Sequence, residues 1–70
     1  MTHLTTTGAR IALVLIAECL DERWKLRRLS TLASLAHCSR EDARNVAAAL
    51  GLYLREGTSG EIWVGLKDRQ

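Results

Sequence analysis

The fold of this chain is decided by residues 32–47, which read LASLAHCSREDARNVA. Apolar residues recur at helical spacing on both sides of a short interruption at residues 37–39. In the first part, Leu32, Leu35 and Ala36 share one helix face. In the second part, the apolar repeat comprises Ala43, Val46, Ala47 and Leu50. The stretch therefore predicts two short helices joined by a tight turn.

Polar residues define the ends of these two helices. Ser30 precedes the first helix, predicted over residues 31–37, and its hydroxyl can cap the free N–H groups. Ser39 holds the same position before the second helix, with Asp42 three residues later in the first turn. Gly51 follows the last apolar position and supplies a stop.

A longer, more apolar helix is predicted before this pair. Thr7 can cap it, and nothing interrupts the helical pattern until about Arg23. Its predicted buried face comprises Ala12, Ile16, Cys19 and Leu20. Three more apolar side chains, Ile11, Val14 and Leu15, fall in or beside the polar half of the helix. This stripe predicts a homodimer contact, or else cover by the C-terminal tail or the hairpin strands, and the pattern favours neither.

Alternating residues predict a short strand over residues 24–29 and a hairpin further along the chain. The hairpin strands lie on either side of residues 57–60, which read Gly-Thr-Ser-Gly, a composition that suits a hairpin loop. Setting Leu54 opposite Ile62 places Tyr53 opposite Trp63 in an aromatic cross-strand pair. Alternatively, Trp63 stacks on a partner or on a base.

Composition indicates one small domain, residues 1–70, in which residues 1–6 and 67–70 are expected to be flexible. Hydrophobic residues at 47% and charged residues at 26% are typical of a globular chain. The formal net charge of +2 permits nucleic-acid binding but does not establish it.

The residue pattern lacks the signatures of catalysis and of metal binding. It contains no glycine-rich phosphate loop, and the adjacent His37 and Cys38 have no further ligands at metal-site spacing. We therefore expect no enzyme, no cofactor and no metal. The apolar run at residues 11–17 is shorter than a membrane span, so we expect a cytoplasmic protein with no membrane partner.

Over residues 29–66, the chain resembles the winged helix-turn-helix family. Leu32-Ala33 matches the family's opening pair, and the remaining motif positions are occupied by Ala36, Cys38, Ser39, Ala43 and Val46. Cys38 stands where valine is usual and Ala43 where a β-branched residue is usual. His37 occupies the glycine position, so it must adopt a left-handed backbone or signal a different turn. The resemblance implies an α+β fold of three helices with a small antiparallel hairpin wing.

The resemblance also implies double-stranded DNA as the partner, with a recognition helix at about residues 40–50 in the major groove. Arginine suits guanine and asparagine suits adenine, so the predicted base contacts are Arg40, Arg44 and Asn45. The predicted contacts to the DNA backbone are Arg23, Lys25, Arg27, Arg28, Ser39 and Arg55. Ion pairing on a solvated surface is the competing interpretation of these charges. The expected function is that of a small repressor-like transcriptional regulator acting as a homodimer.

The alternative is a winged-helix module that binds a protein and not DNA. It is favoured by the acidic Glu41 and Asp42 on the recognition helix, and by a wing turn without lysine or arginine. The dimer or partner face is then expected at Ile11, Val14, Leu15 and Trp63.

Overall fold

Three helices pack against a small sheet in this chain, of which the computed structural model describes residues 6–70. In chain order the elements are α1 (Thr6–Leu20), β1 (Arg27–Arg28), α2 (Leu29–Leu35), α3 (Arg40–Ala49), β2 (Tyr53–Glu56), β3 (Ile62–Gly65) and the 3-10 helix η1 (Lys67–Arg69). The strands form an antiparallel sheet in the order β1-β3-β2. The predicted α+β fold is confirmed, and its element order is consistent with a winged-helix arrangement. We call β2, β3 and the loop between them the wing.

A single hydrophobic core lies where the helices meet β3. Its largest side chains with almost no exposed surface are Ile11, Leu15, Leu32 and Val64. Burying such aliphatic side chains contributes about 1.5–3 kcal/mol each. α3 adds Ala43 and Ala47, both 0% exposed, and these small side chains allow α1 and α2 to pack close to its backbone.

The buried face of α1 differs from the predicted one. Ile11 and Leu15 belong to the stripe that was assigned either to a homodimer contact or to cover by the C-terminal tail or the hairpin strands. Both are buried in the chain's own core, and Val14 is half-buried against it. The predicted burial of Ala12 and Cys19 is confirmed, whereas the large exposed side chains of the helix are Leu13, Ile16 and Leu20. Apolar residues surround this helix on nearly all sides, so hydrophobic periodicity alone did not fix which side faces the core.

The helix-end predictions hold for α3 but not for α1 and α2. Ser39 caps α3, because its Oγ accepts a hydrogen bond from the backbone N–H of Asp42 at 3.1 Å. Thr7 and Ser30 lie inside their helices and cap neither; α2 instead has Arg28 at its N-cap position, with no side-chain cap bond. In α2, Leu35 was predicted to face the core but is exposed, and Ala33 is buried instead.

The turn between α2 and α3 is closed by a residue with a left-handed backbone. His37 has φ 53°, so of the two alternatives left open for this position, a left-handed backbone and a different turn, the structure has the first. Its N–H donates to the carbonyl of Ser34 at 3.2 Å, and the N–H of Cys38 donates to the carbonyl of Ala33 at 3.0 Å. These two bonds are those of a Schellman motif, which satisfies carbonyls at a helix end. Gly51, at φ 74°, ends α3 by the same pattern, as predicted.

The end of α1 is held by the last residues of the chain. The helix stops at Leu20 and not near residue 23. The guanidinium of Arg69 donates to three carbonyl oxygens there: those of Cys19 at 3.1 Å, Leu20 at 3.2 Å and Asp21 at 3.3 Å. Residues 67–70, expected to be a flexible end, therefore contain η1, and the Arg69 side chain satisfies carbonyl groups at the end of α1.

Strand pairing in the wing is displaced by two residues from the predicted register. Leu54 lies opposite Val64, and Arg55, not Tyr53, lies opposite Trp63. The predicted aromatic pair is therefore wrong. A shift of two residues keeps every side chain on its predicted face, so alternation alone did not distinguish the two registers.

The strand predicted over residues 24–29 is shorter than expected. Within residues 24–29, only Arg27–Arg28 pairs with β3. The expected flexible start, residues 1–6, lies outside the described residues except for Thr6, where α1 begins. Within residues 6–70, no helix combines the length and the apolar character that crossing a membrane requires.

Candidate nucleic-acid interface

α3 turns a face of small apolar residues inward and a charged face outward. Because Ala43 and Ala47 point into the core, Arg40, Arg44 and Asn45 lie on the exposed side of the helix. Arg40 and Arg44 are four residues apart, so their side chains project from neighbouring turns of one edge. Within residues 6–70, no carboxylate lies within ion-pair distance of either guanidinium. Both arginines therefore keep their donors available to a partner.

A groove runs between this edge of α3 and the wing. One part is lined by Leu29, Arg40, Glu41, Arg44, Gly60 and Ile62. An adjoining part is lined by Arg44, Leu54, Arg55, Glu56 and Ile62. Arg44 and Ile62 border both parts, so the groove brings the predicted base contacts Arg40 and Arg44 to the same surface as Arg55.

The amino end of α3 carries acidic charge beside these arginines. Glu41 and Asp42 are exposed in its first turn, where carboxylates interact favourably with the helix dipole. They also reduce the positive potential near Arg40. The Ser39 oxygen accepts the capping bond, and its hydroxyl hydrogen is still available to donate to an anion.

The predicted basic cluster at residues 23–28 is divided among different environments. Arg23 binds Asp21 on the surface: its Nη2 lies 2.7 Å from Oδ2, and its backbone N–H donates to Oδ1 at 3.0 Å. The side-chain hydrogen bonds from Arg23, and next the backbone bond, lower the pKa of Asp21 from 3.8 to about 2. The Arg23 side chain is 78% exposed, so a phosphate has to compete with Asp21 for it.

The Arg27 side chain makes its contacts within the protein. Its side chain is only 15% exposed, and its Nη1 donates to the Glu18 carboxylate at 2.6 Å. Its guanidinium also lies 4.7 Å from the ring centroid of Trp24. Arg27 thus ties β1 to α1, and this location does not favour the predicted phosphate contact.

Arg28 and Lys25 are more accessible. Arg28 is 58% exposed; it lies 3.4 Å from the Glu61 carboxylate and 5.3 Å from the ring centroid of Trp63. Lys25 is exposed and has no ion pair in the described part of the chain. Trp63 itself is half-buried, since Arg28 and Arg55 oppose it on the two neighbouring strands. No local sequence signal indicates the contact between Arg28 and Trp63, because β1 and β3 are far apart along the chain.

The two cysteines are free thiols whose surroundings favour the protonated form. Burial raises the pKa of the Cys19 thiol, and partial burial does the same for Cys38. In the described range, no three potential ligands come together to hold a metal ion. The arginines around the groove offer hydrogen-bond donors to a partner.

Comparison of the chain with models of protein families, with curated proteins and with solved structures finds no match. The interpretation of its function therefore rests on the fold and on the residues described above.

Proposed function

We propose that the protein binds double-stranded DNA sequence-specifically and acts as a small, repressor-like transcriptional regulator in the cytoplasm. The supporting observation is the outer edge of α3, where Arg40 and Arg44 are exposed, without ion pairs among residues 6–70, beside Asn45 and the wing. In a winged-helix arrangement, this is the helix that enters the major groove.

The side chains on this edge suit the reading of bases. Arginine donates two hydrogen bonds to guanine, and asparagine pairs in the same manner with adenine. Each such contact contributes about 1–3 kcal/mol of discrimination against the wrong base. α3 has ten residues, which gives a length of about 15 Å, enough to present Arg40, Arg44 and Asn45 to successive base pairs.

Contacts to phosphates would come mainly from the accessible donors Lys25, Arg28, Ser39 and Arg55. Arg23 and Arg27 contribute less, because each is already bound to a carboxylate. With a net charge of +2 and no basic residue in the wing loop, non-specific binding is expected to be weak.

The test is fluorescence anisotropy of labelled duplexes at two salt concentrations, after selection from a random library. Arg44→Ala should weaken binding to the selected site by about 1–3 kcal/mol and relax its base preference. Lys25→Ala should weaken all duplexes alike and reduce the salt slope by about 1. Lys67→Ala, an exposed lysine outside the predicted contacts, is the matched control. If no duplex binds at low salt, the proposal is wrong.

A second candidate function is that of a protein-binding winged helix. It is supported by the acidic first turn of α3 and by the absence of lysine and arginine from residues 57–60. This candidate would be favoured if the folded protein bound no duplex DNA, or if Arg40→Ala and Arg44→Ala both left its duplex affinity unchanged.

A further inference from the structure

The outward face of α3 carries an acidic residue near its centre. The side chains that pack inward from this helix and its cap are Ala43, Val46, Ala47 and Leu50. At 100° per residue, the residues directly opposite them are Glu41, Asn45 and Ala48, which lie within an arc of about 60°. All three are exposed, and we call them the outer line of α3. They are the part of α3 that projects farthest from the core.

The Glu41 side chain is free to meet a partner. It has no ion pair among residues 6–70, and it lines the groove together with Arg40 and Arg44. The helix dipole favours a carboxylate in the first turn, but Asp42 meets that preference equally well. The dipole acts along the helix axis, so it does not account for a carboxylate on the outer line.

The chemistry of the major groove restricts what this carboxylate can bind. In the proposed complex, the first turns of α3 lie nearest to the base edges. A carboxylate there is repelled by the phosphates, and it can only accept hydrogen bonds. The donors in the major groove are the 4-amino group of cytosine and the 6-amino group of adenine. The adenine amino group lies beside the acceptor N7, which repels the second carboxylate oxygen, so cytosine fits better.

We infer that Glu41 reads a cytosine, because its carboxylate accepts a hydrogen bond from the 4-amino group in the major groove. This inference rests on the proposed DNA binding, and it adds a base to those assigned to Arg40, Arg44 and Asn45. Glu41 and Arg44 are three residues apart, so their Cβ atoms are separated by about 5–6 Å. Successive bases of a strand are separated by about 3.4 Å. The cytosine should therefore lie within about two base pairs of the guanine that Arg44 binds.

Base exchange in the selected site tests this inference. A duplex selected from a random library is changed at one position from C·G to T·A, and both duplexes are titrated by fluorescence anisotropy. The wild-type protein should lose about 10-fold in affinity at the position that Glu41 reads. Glu41→Ala should lose less than about 2-fold on the same exchange, while its preferences at the other positions remain. It should also bind unrelated duplexes more tightly, because a charge that repels phosphates is gone.

Two further variants separate base reading from a general effect of charge. Glutamine pairs with adenine, so Glu41→Gln should change the preferred base at this position from cytosine to adenine. The matched control is Asp42→Asn, which removes an equal charge from the same turn but outside the outer line. It should keep the preference for cytosine. Circular dichroism verifies that all three variants are folded.

The outcomes distinguish this inference from the proposed function. If the protein selects a site in which Glu41→Ala and Glu41→Gln both keep every base preference, the inference is wrong and the proposed function stands. The inference is also wrong if Asp42→Asn relaxes the cytosine position as much as Glu41→Ala does. If no duplex binds at low salt, both are wrong.

Discussion

Replacing Arg69 with alanine should destabilise the whole domain, although the residue lies next to the end of the chain. The guanidinium donates to three carbonyl oxygens at the carboxyl end of α1, at 3.1–3.3 Å. A hydrogen bond from a charged donor contributes about 1.5–3 kcal/mol when water does not compete. The positive charge also interacts favourably with the helix end, by about 0.3–1 kcal/mol.

The expected net loss is smaller than the sum of these contributions, because water can reach part of this site. The Leu20 contact is exposed, while those to Cys19 and Asp21 are only partly buried. We therefore expect Arg69→Ala to lower the free energy of unfolding by about 1.5–3 kcal/mol. Arg69→Lys keeps the charge but loses the planar fork of donors, so it should recover only part of the loss.

Urea denaturation followed by circular dichroism measures the effect. The midpoint should fall while the slope stays unchanged, since the variant has the same fold. Lys67→Ala, in the same turn but exposed and without an ion pair in the described chain, is the control and should change stability by less than about 0.5 kcal/mol. If Arg69→Ala behaves like Lys67→Ala, η1 does not hold the end of α1 in solution.

Three further predictions concern single positions. His37→Gly should stabilise the domain by about 0.5–1 kcal/mol in the same assay, because glycine removes the strain of a positive φ; a loss of stability would contradict this. Gly65→Ala should destabilise by at least about 1–3 kcal/mol, because an added Cβ meets the carbonyl oxygen of Lys25; a neutral effect would show that β3 can move away. Pairing lowers the pKa of Asp21 from 3.8 to about 2, so its stabilising contribution is present above pH 3.8 and is lost as the pH falls towards 2. An NMR titration of its carboxyl should show this pKa returning towards 3.8 in Arg23→Gln, and an unchanged titration would refute the role of the pair.

Local signals in the sequence were enough to predict α3 and the turn before it. The cap, the acidic first turn and the stopping glycine all act within a few residues, and such signals can be recognised in the sequence. The structure confirms the helix from Arg40 to Ala49 and its cap at Ser39. At His37 the resemblance left a left-handed backbone and a different turn open, and the structure has the left-handed backbone. The exposure of Arg40, Arg44 and Asn45 follows from the apolar repeat on the other side of the helix.

Features that depend on distant parts of the chain were not predicted. The side of α1 that faces the core is set by packing against α2 and α3, because apolar residues on nearly all sides leave the pattern ambiguous. The bond from Arg27 to Glu18 and those from Arg69 to α1 join residues with no shared local motif. In the wing, the loop length fixes a register that alternation cannot.

The order of strands in the sheet has a consequence for how the chain folds during synthesis. β3 is the central strand, yet it follows β1 and β2 in the sequence, and it carries the core residue Val64. Until the ribosome has released β3, β1 and β2 have no neighbour to pair with, and the helices lack one wall of their core. Pairings between distant segments also form more slowly than local contacts. The nascent chain should therefore emerge as loosely associated helices and become a cooperative domain only when its last strand is free.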